Sequence, residues 1–174
     1  PPVLRKIVRY NDYWTSNWFS VDSAEFLDNY SVLHFLPNLT SVQETSPTFH
    51  FIDNEAAHSV CSFMDETTFE PSSALLQQEI SEVDSRFLTQ TAILLRLGEW
   101  FDYLKQVGVY DNTRIIIVSD HGATAVPDNF PKVPYRFIAT LMVKDFGATG
   151  LFKSDLTFMT NADTPALATA DLTE

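Results

Sequence analysis

Residues 114 to 118 read Arg-Ile-Ile-Ile-Val, four β-branched residues in succession behind one cation. Side chains on a strand alternate between its two faces, so an unbroken apolar run leaves neither face for water. β-branched side chains also favour the pleated backbone over the helix. The run therefore predicts a central strand of a parallel sheet, buried on both faces. Asp111-Asn112 supplies the turn that enters it, and Ser119-Asp120-His121-Gly122 leaves it.

Helical spacing surrounds this strand. From about 84 to 107, Phe87, Thr91, Leu94, Leu95, Gly98, Phe101 and Leu104 recur at three- and four-residue steps. That predicts a long amphipathic helix facing its core with this stripe. Gly108 stands where a C′ glycine would stop it. Residues 136 to 143 read as a second strand. Asn161-Ala-Asp-Thr-Pro165 reads as a capped helix start with the proline in the first turn.

Upstream, Asp22 or Ser23 can cap a helix over about 23 to 35, with Phe26, Leu27, Tyr30, Leu33 and His34 on its apolar side; Pro37 ends it. Thr48 to Ile52 reads as a short buried strand, and residues 59 to 80 as a polar surface excursion. Tyr10, Tyr13, Trp14, Trp18 and Phe19 crowd a partly helical lead-in. The order strand, long helix, strand, strand, helix predicts an α/β fold, a mostly parallel sheet flanked by helices. Residues 1–174 are expected to form a single partial domain: an aromatic lead-in over 1–22 and an α/β portion over 23–174.

Charge and cysteine content remove several function classes. The net charge of −12 argues against a nucleic-acid or anionic-membrane surface, which needs clustered Lys and Arg. Cys61 is the one cysteine, so an intrachain disulfide and a multi-cysteine zinc site are excluded. A half-buried small apolar residue is its plainer reading. No apolar run approaches the roughly 20 residues of a membrane span. The start, Pro1-Pro2-Val3-Leu4-Arg5, has no secretory h-region. The chain is expected to be soluble.

Chemistry concentrates at Asp120 and His121. In open α/β sheets, ligands bind beyond the carboxyl ends of the strands. A carboxylate oxygen and an imidazole nitrogen are both good ligands for Zn²⁺ or Mn²⁺. An Asp-His-Gly tripeptide is short, and short motifs also occur by accident. His50 lies within the expected strand 48–52, where a structural role is the plainer reading. His34, near a helix end, suits the negative pole of the helix dipole. Asp53 and Glu55 offer oxygen atoms without a pattern that assigns them. Asn29-Tyr-Ser and Asn38-Leu-Thr match glycosylation sequons, a cheap match that is discounted.

The stretch Val109-Tyr110-Asp111-Asn112-Thr113-Arg114, continuing through Ser119-Asp120-His121-Gly122, resembles the late signature of the sulfatase-like branch of the alkaline phosphatase superfamily. Leu97-Gly98-Glu99-Trp100-Phe101-Asp102-Tyr103-Leu104 before it fits the same pattern. So do Leu141-Met142-Val143-Lys144-Asp145-Phe146 and Phe158-Met159-Thr160-Asn161-Ala162-Asp163-Thr164-Pro165. The closest branch is that of bacterial membrane-anchored sulfatase-like proteins, related to lipoteichoic-acid synthases and phosphoethanolamine transferases. The likeness runs over about 84–170 and is looser over 24–60.

The resemblance implies that Asp120 and His121 bind a catalytic divalent metal (Mn, Zn, Mg or Ca). It also implies a substrate-contacting histidine soon after an earlier strand, in a Thr-Thr-His-Glu-Pro setting. His58 takes that place, with Ala56 and Ala57 for the threonines and Ser59-Val60 for Glu-Pro. The family nucleophile, a Thr or a modified Cys or Ser, lies further upstream, and no matching segment is found. Cys61 lacks the Cys-x-Pro-x-Arg setting.

The expected function is thus the C-terminal portion of a metal-dependent hydrolase or transferase acting on phosphate or sulfate esters, inactive alone because the nucleophile is absent. Its parent would be anchored on the extracytoplasmic face of a bacterial membrane. The expected partners are an anionic ester substrate, no nucleic acid, a membrane only through the parent, and a second copy by self-association. The alternative is a degenerate, non-catalytic module used for binding or assembly, which the altered surroundings of His58 favour.

Overall fold

The structure, a computed structural model, describes residues 21–42, 46–122 and 135–170. The aromatic lead-in expected over 1–22 lies outside the described residues but for its last two. The chain divides into two compact units, one through Tyr103 and one from Leu104 onward. Each is described by itself.

In the first unit, helix α1 (Val21–His34) buries Phe26, Tyr30 and Leu33, spaced four and three residues apart on one face. The Phe26 and Tyr30 rings stack with centroids 5.3 Å apart. A single helical turn, α2 (Leu36–Leu39), follows with Pro37 in its first turn, where the missing N–H costs nothing.

Helix α3 (Glu82–Gln106) is entered through a reciprocal cap. The Asp84 N–H donates to Ser81 Oγ at 3.1 Å, and the Ser81 hydroxyl donates to Asp84 Oδ2 at 2.6 Å. Its buried side chains through Tyr103 are Ser85, Leu88, Thr89, Ala92, Ile93 and Arg96, and the apolar ones meet Phe26, Tyr30, Leu33, Leu36, Ala56, Cys61, Phe63 and Met64 in one core; Leu104, also buried, belongs to the second unit.

Three expectations change in this unit. The long helix is present, but Phe87, Leu94 and Leu95 are largely exposed. The helix carries apolar residues on two nearly opposite faces, and the face with the smaller side chains, Ala92, Ser85 and Thr89, is the one that reaches the core. Within the expected surface excursion 59–80, Cys61, Phe63 and Met64 are buried, and the Cys61 N–H donates to Thr89 Oγ1 at 3.1 Å. Residues 48–52 form no strand, and Phe49 and Phe51 are 75% and 80% exposed. No neighbouring strand among the described residues takes up their backbone groups, so no ladder forms.

The second unit begins with the end of α3. Gly108 has φ 77°, Val109 N–H donates to the Leu104 carbonyl at 3.0 Å, and Gly108 N–H donates to that of Lys105 at 3.1 Å. This pair of bonds needs a left-handed residue at Gly108, and it closes the helix where the sequence placed its end. Strand β1 (Ile115–Val118) then pairs antiparallel with β2 (Leu141–Lys144), Ile115 opposite Lys144 and Val118 opposite Leu141. An antiparallel neighbour also occurs at the edge of otherwise parallel sheets. The pairing is therefore compatible with the mostly parallel sheet and with a mixed one.

A 3-10 turn (Asn161–Asp163) with a Thr160/Asp163 capping box leads into helix α4 (Thr164–Thr169), with Pro165 in its first turn. Arg114, at the entrance to β1, is nearly buried. It pairs with Asp145 at 2.9 Å and donates to the carbonyls of Leu167, at 3.0 Å, and Ala170. Lys144 donates to the carbonyls of Tyr110 and Thr113 and lies 4.3 Å from the Tyr110 ring centroid.

Candidate functional site

The β1–β2 ladder continues past its last pair. Ser119 N–H donates to the Thr140 carbonyl at 3.0 Å, and Thr140 N–H donates to Ser119 Oγ at 2.8 Å. Three residues on, Gly122 N–H donates to the Arg136 carbonyl at 3.0 Å. The loop 119–122 is thereby tied at both ends to the chain that precedes β2, and Asp120 and His121 fall between the ties.

Asp120 Oδ1 accepts the His121 N–H at 2.9 Å, which turns its other oxygen, Oδ2, toward the imidazole. His121 Nδ1 lies 2.8 Å from the Gly122 carbonyl oxygen. A carbonyl only accepts, so Nδ1 carries a proton, and in the neutral ring the lone pair is then on Nε2. Nε2 stands 3.6 Å from Asp120 Oδ2. With the imidazole neutral, two electron-pair donors face one another. The Asp120 side chain is 87% exposed and that of His121 37%, so the space between them opens to solvent.

That geometry suits one cation. Zinc–oxygen and zinc–nitrogen bonds of about 2.0–2.2 Å put two tetrahedral ligands roughly 3.4 Å apart. An Nδ1–H held by a carbonyl is the usual support for a histidine that ligates through Nε2. Among the described residues, no group of three or more His, Cys, Asp or Glu is placed to hold a metal ion. The pair therefore offers two protein ligands, fewer than the three of a typical catalytic zinc site.

One contact of this loop went unread in the sequence. The Asn161 side-chain amide donates to the carbonyls of Ser119, at 3.1 Å, and of Asp120, at 3.0 Å. The sequence reads as a capped helix start at Asn161, whereas the capping box falls on Thr160 and Asp163 and leaves the Asn161 amide for this loop.

His58 belongs to the first unit, whereas Asp120 and His121 belong to the second. It follows the 3-10 turn Glu55–Ala57 and is exposed. That turn is fixed from two helices. Asn54 Nδ2 donates to the Asn29 carbonyl of α1 at 3.0 Å, and Gln90 Nε2 of α3 donates to the Ala57 carbonyl at 3.1 Å. Ala56, at one of the two threonine positions, is fully buried. His50, Asp53 and Glu55 are exposed. His34 ends α1, and its Nδ1 faces Arg96.

Residues 93–148 match the protein family described as Type I phosphodiesterase / nucleotide pyrophosphatase, a family of the alkaline phosphatase superfamily. The match takes in the second half of α3, all of β1, the Asp120-His121 loop and β2, and it leaves residues before 93 outside. The superfamily is the one the sequence resemblance implied. No curated protein and no solved structure matches the chain. Among the described residues, no helix is long and apolar enough to cross a membrane.

Proposed function

We propose that loop 119–122 holds a divalent metal in a phosphoester-processing centre, with Asp120 Oδ2 and His121 Nε2 as two of its ligands. The observation that carries this is the facing pair of lone-pair donors 3.6 Å apart, with the imidazole proton drawn to the opposite nitrogen by the Gly122 carbonyl. The matched phosphodiesterase family supports the phosphate-ester chemistry. A bound divalent ion supplies Lewis acidity and offsets charge on a transferring phosphoryl group. The chain's own share is to hold the two donors, and Gly122 keeps His121 in the tautomer that leaves Nε2 free to bind.

Within the superfamily we place the chain in the sulfatase-like branch, as the C-terminal part of the catalytic domain of an extracytoplasmic, membrane-anchored bacterial protein. The residues quoted for that resemblance support this. Other segments then bring the nucleophile and the remaining ligands, and His58 contacts the anionic ester.

Calorimetric titration with Mn²⁺ and Zn²⁺ tests the metal reading. With two ligands, binding weaker than micromolar is expected, abolished by Asp120→Ala or His121→Ala. No binding, or binding that survives both substitutions, overturns the reading. Nitrophenyl phosphate hydrolysis by this chain alone would contradict the division of labour.

A second reading, a non-catalytic binding module, is favoured by the burial of Ala56 and by the hydrogen bond that holds Ala57 to Gln90. These are marks of a structural turn. If a phosphate monoester with Mn²⁺ leaves the His58 ring resonances unmoved, this reading gains.

A further inference from the structure

Asn161 meets the Asp120-His121 loop at its backbone. Its amide nitrogen donates to the two successive carbonyls of Ser119 and Asp120. Those carbonyls flank the Cα of Asp120, so the contact fixes the peptide plane from which its side chain leaves. The Asp120 side chain is largely exposed, and its carboxylate is oriented by the His121 N–H that donates to Oδ1.

Asn161 is itself held in place. The Thr160 N–H and hydroxyl both donate to Asp163 Oδ2, at 2.7 and 3.1 Å, which fixes the turn around it. At the far end of the same segment, Arg114 grips the Leu167 and Ala170 carbonyls. Residues 161–170 are thus pinned at both ends to the strand they accompany, Asn161 at the exit of β1 and Arg114 at its entrance. The lengths agree. Residues 114 to 119 of an extended chain span about 17 Å, and nine helical steps span about 14–18 Å.

We infer that Asn161 is a positioning residue for the metal loop, setting the separation of Asp120 Oδ2 and His121 Nε2 through the backbone. This rests on the metal reading above. Outer partners that orient ligands change metal affinity about 10- to 100-fold when removed. Asn161 is exposed, so its replacement spares the core.

The test compares the full chain with its N161A and N161D variants. N161D keeps the size of the side chain but turns an acceptor toward two carbonyls. Three quantities are measured: Mn²⁺ affinity, the metal-free amide and imidazole ¹⁵N shifts of Asp120 and His121, and the thermal midpoint. Both variants should lose about tenfold in Mn²⁺ affinity and shift the Asp120 and His121 signals, N161D more than N161A, with the midpoint little changed. Unaltered loop shifts and unaltered affinity in both variants overturn the inference. So does a loss of affinity that only tracks a fall in midpoint. If the unsubstituted chain binds no Mn²⁺, the metal reading fails. The loop shifts then decide by themselves whether Asn161 sets the geometry of Asp120 and His121.

Discussion

The Arg96 guanidinium donates through Nη1 to Nδ1 of His34 at 3.2 Å, joining the last turn of α1 to the middle of α3. Arginine has only donors, so His34 accepts at Nδ1 and carries its proton at Nε2. Arg96 also reaches Glu70 at 3.1 Å and Glu99 at 2.9 Å, and Glu70 in turn accepts from the Tyr30 hydroxyl at 3.0 Å. The guanidinium is nearly buried while both glutamates keep water. Its contribution is therefore the joining of three segments, α1, the Glu70 loop and α3, rather than the sum of its ion pairs. Arg96→Ala is expected to cost about 3 kcal/mol, whereas truncating half-exposed Glu99 should cost at most about 1 kcal/mol. Urea denaturation of the two variants checks this, and equal midpoints would mean that Arg96 ties nothing together.

The two faces of α3 make a sharper comparison. Leu88 is 7% exposed and Leu94 is 47% exposed, one residue type on one helix. Leu88→Ala should destabilise by about 2–4 kcal/mol through lost transfer and the cavity left behind. Leu94→Ala should change stability by less than about 1 kcal/mol. The reverse order in a denaturation series would show that the stripe Phe87-Leu94-Leu95 is the one packed.

That contrast shows what the sequence made legible. Local signals located α3, its Gly108 stop, β1 and the Pro165 helix, because spacing and caps act within a few residues. They did not choose between two apolar faces of α3, since that choice depends on Phe26, Leu33 and Met64, which arrive from elsewhere in the chain. Cys61 to Met64 were misplaced for a similar reason. They enter the core between the Cys61 N–H bond to Thr89 Oγ1 of α3 and a turn in which the Thr67 and Thr68 N–H groups donate to Asp65 Oδ1, without a period to read. At the site, Asp120 and His121 stood out as adjacent ligand types at the end of a strand. The imidazole tautomer became readable only with the Gly122 carbonyl in place, and Asn161 lies some forty residues away from the carbonyls it holds.

Cys61 gives a prediction with a direct chemical readout. Burial pushes its thiol up to about 11, against a smaller lowering by a backbone hydrogen bond at Phe63. The thiolate is the reactive species, so the folded chain should resist disulfide-exchange reagents at pH 8 and release one thiol on unfolding. For stability, the sign follows from the raised value. The protonated thiol's contribution is complete below the ordinary thiol range and is lost as pH rises from there toward 11. Rapid labelling of the native chain at pH 8 would place Cys61 outside the core.

Asp145 titrates the other way. Its carboxylate accepts from Arg114 Nε at 2.9 Å and from the Phe146 N–H at 2.7 Å, and these bonds, Arg114 first, hold its pKa below the usual carboxylate value. A depressed folded value means stability that is present at neutral pH and lost as pH falls through it. Asp145→Asn keeps the shape and removes the ionisation. The wild-type chain should therefore melt above this variant at pH 7, and the gap should close below about pH 4, where ordinary carboxylates take up protons. The variant should also loosen the Arg114 grip on the Leu167 carbonyl, which faster hydrogen exchange in α4 would report. A gap in melting temperature that stays constant from pH 7 to pH 3 would show that the Asp145 charge does not hold Arg114 in place.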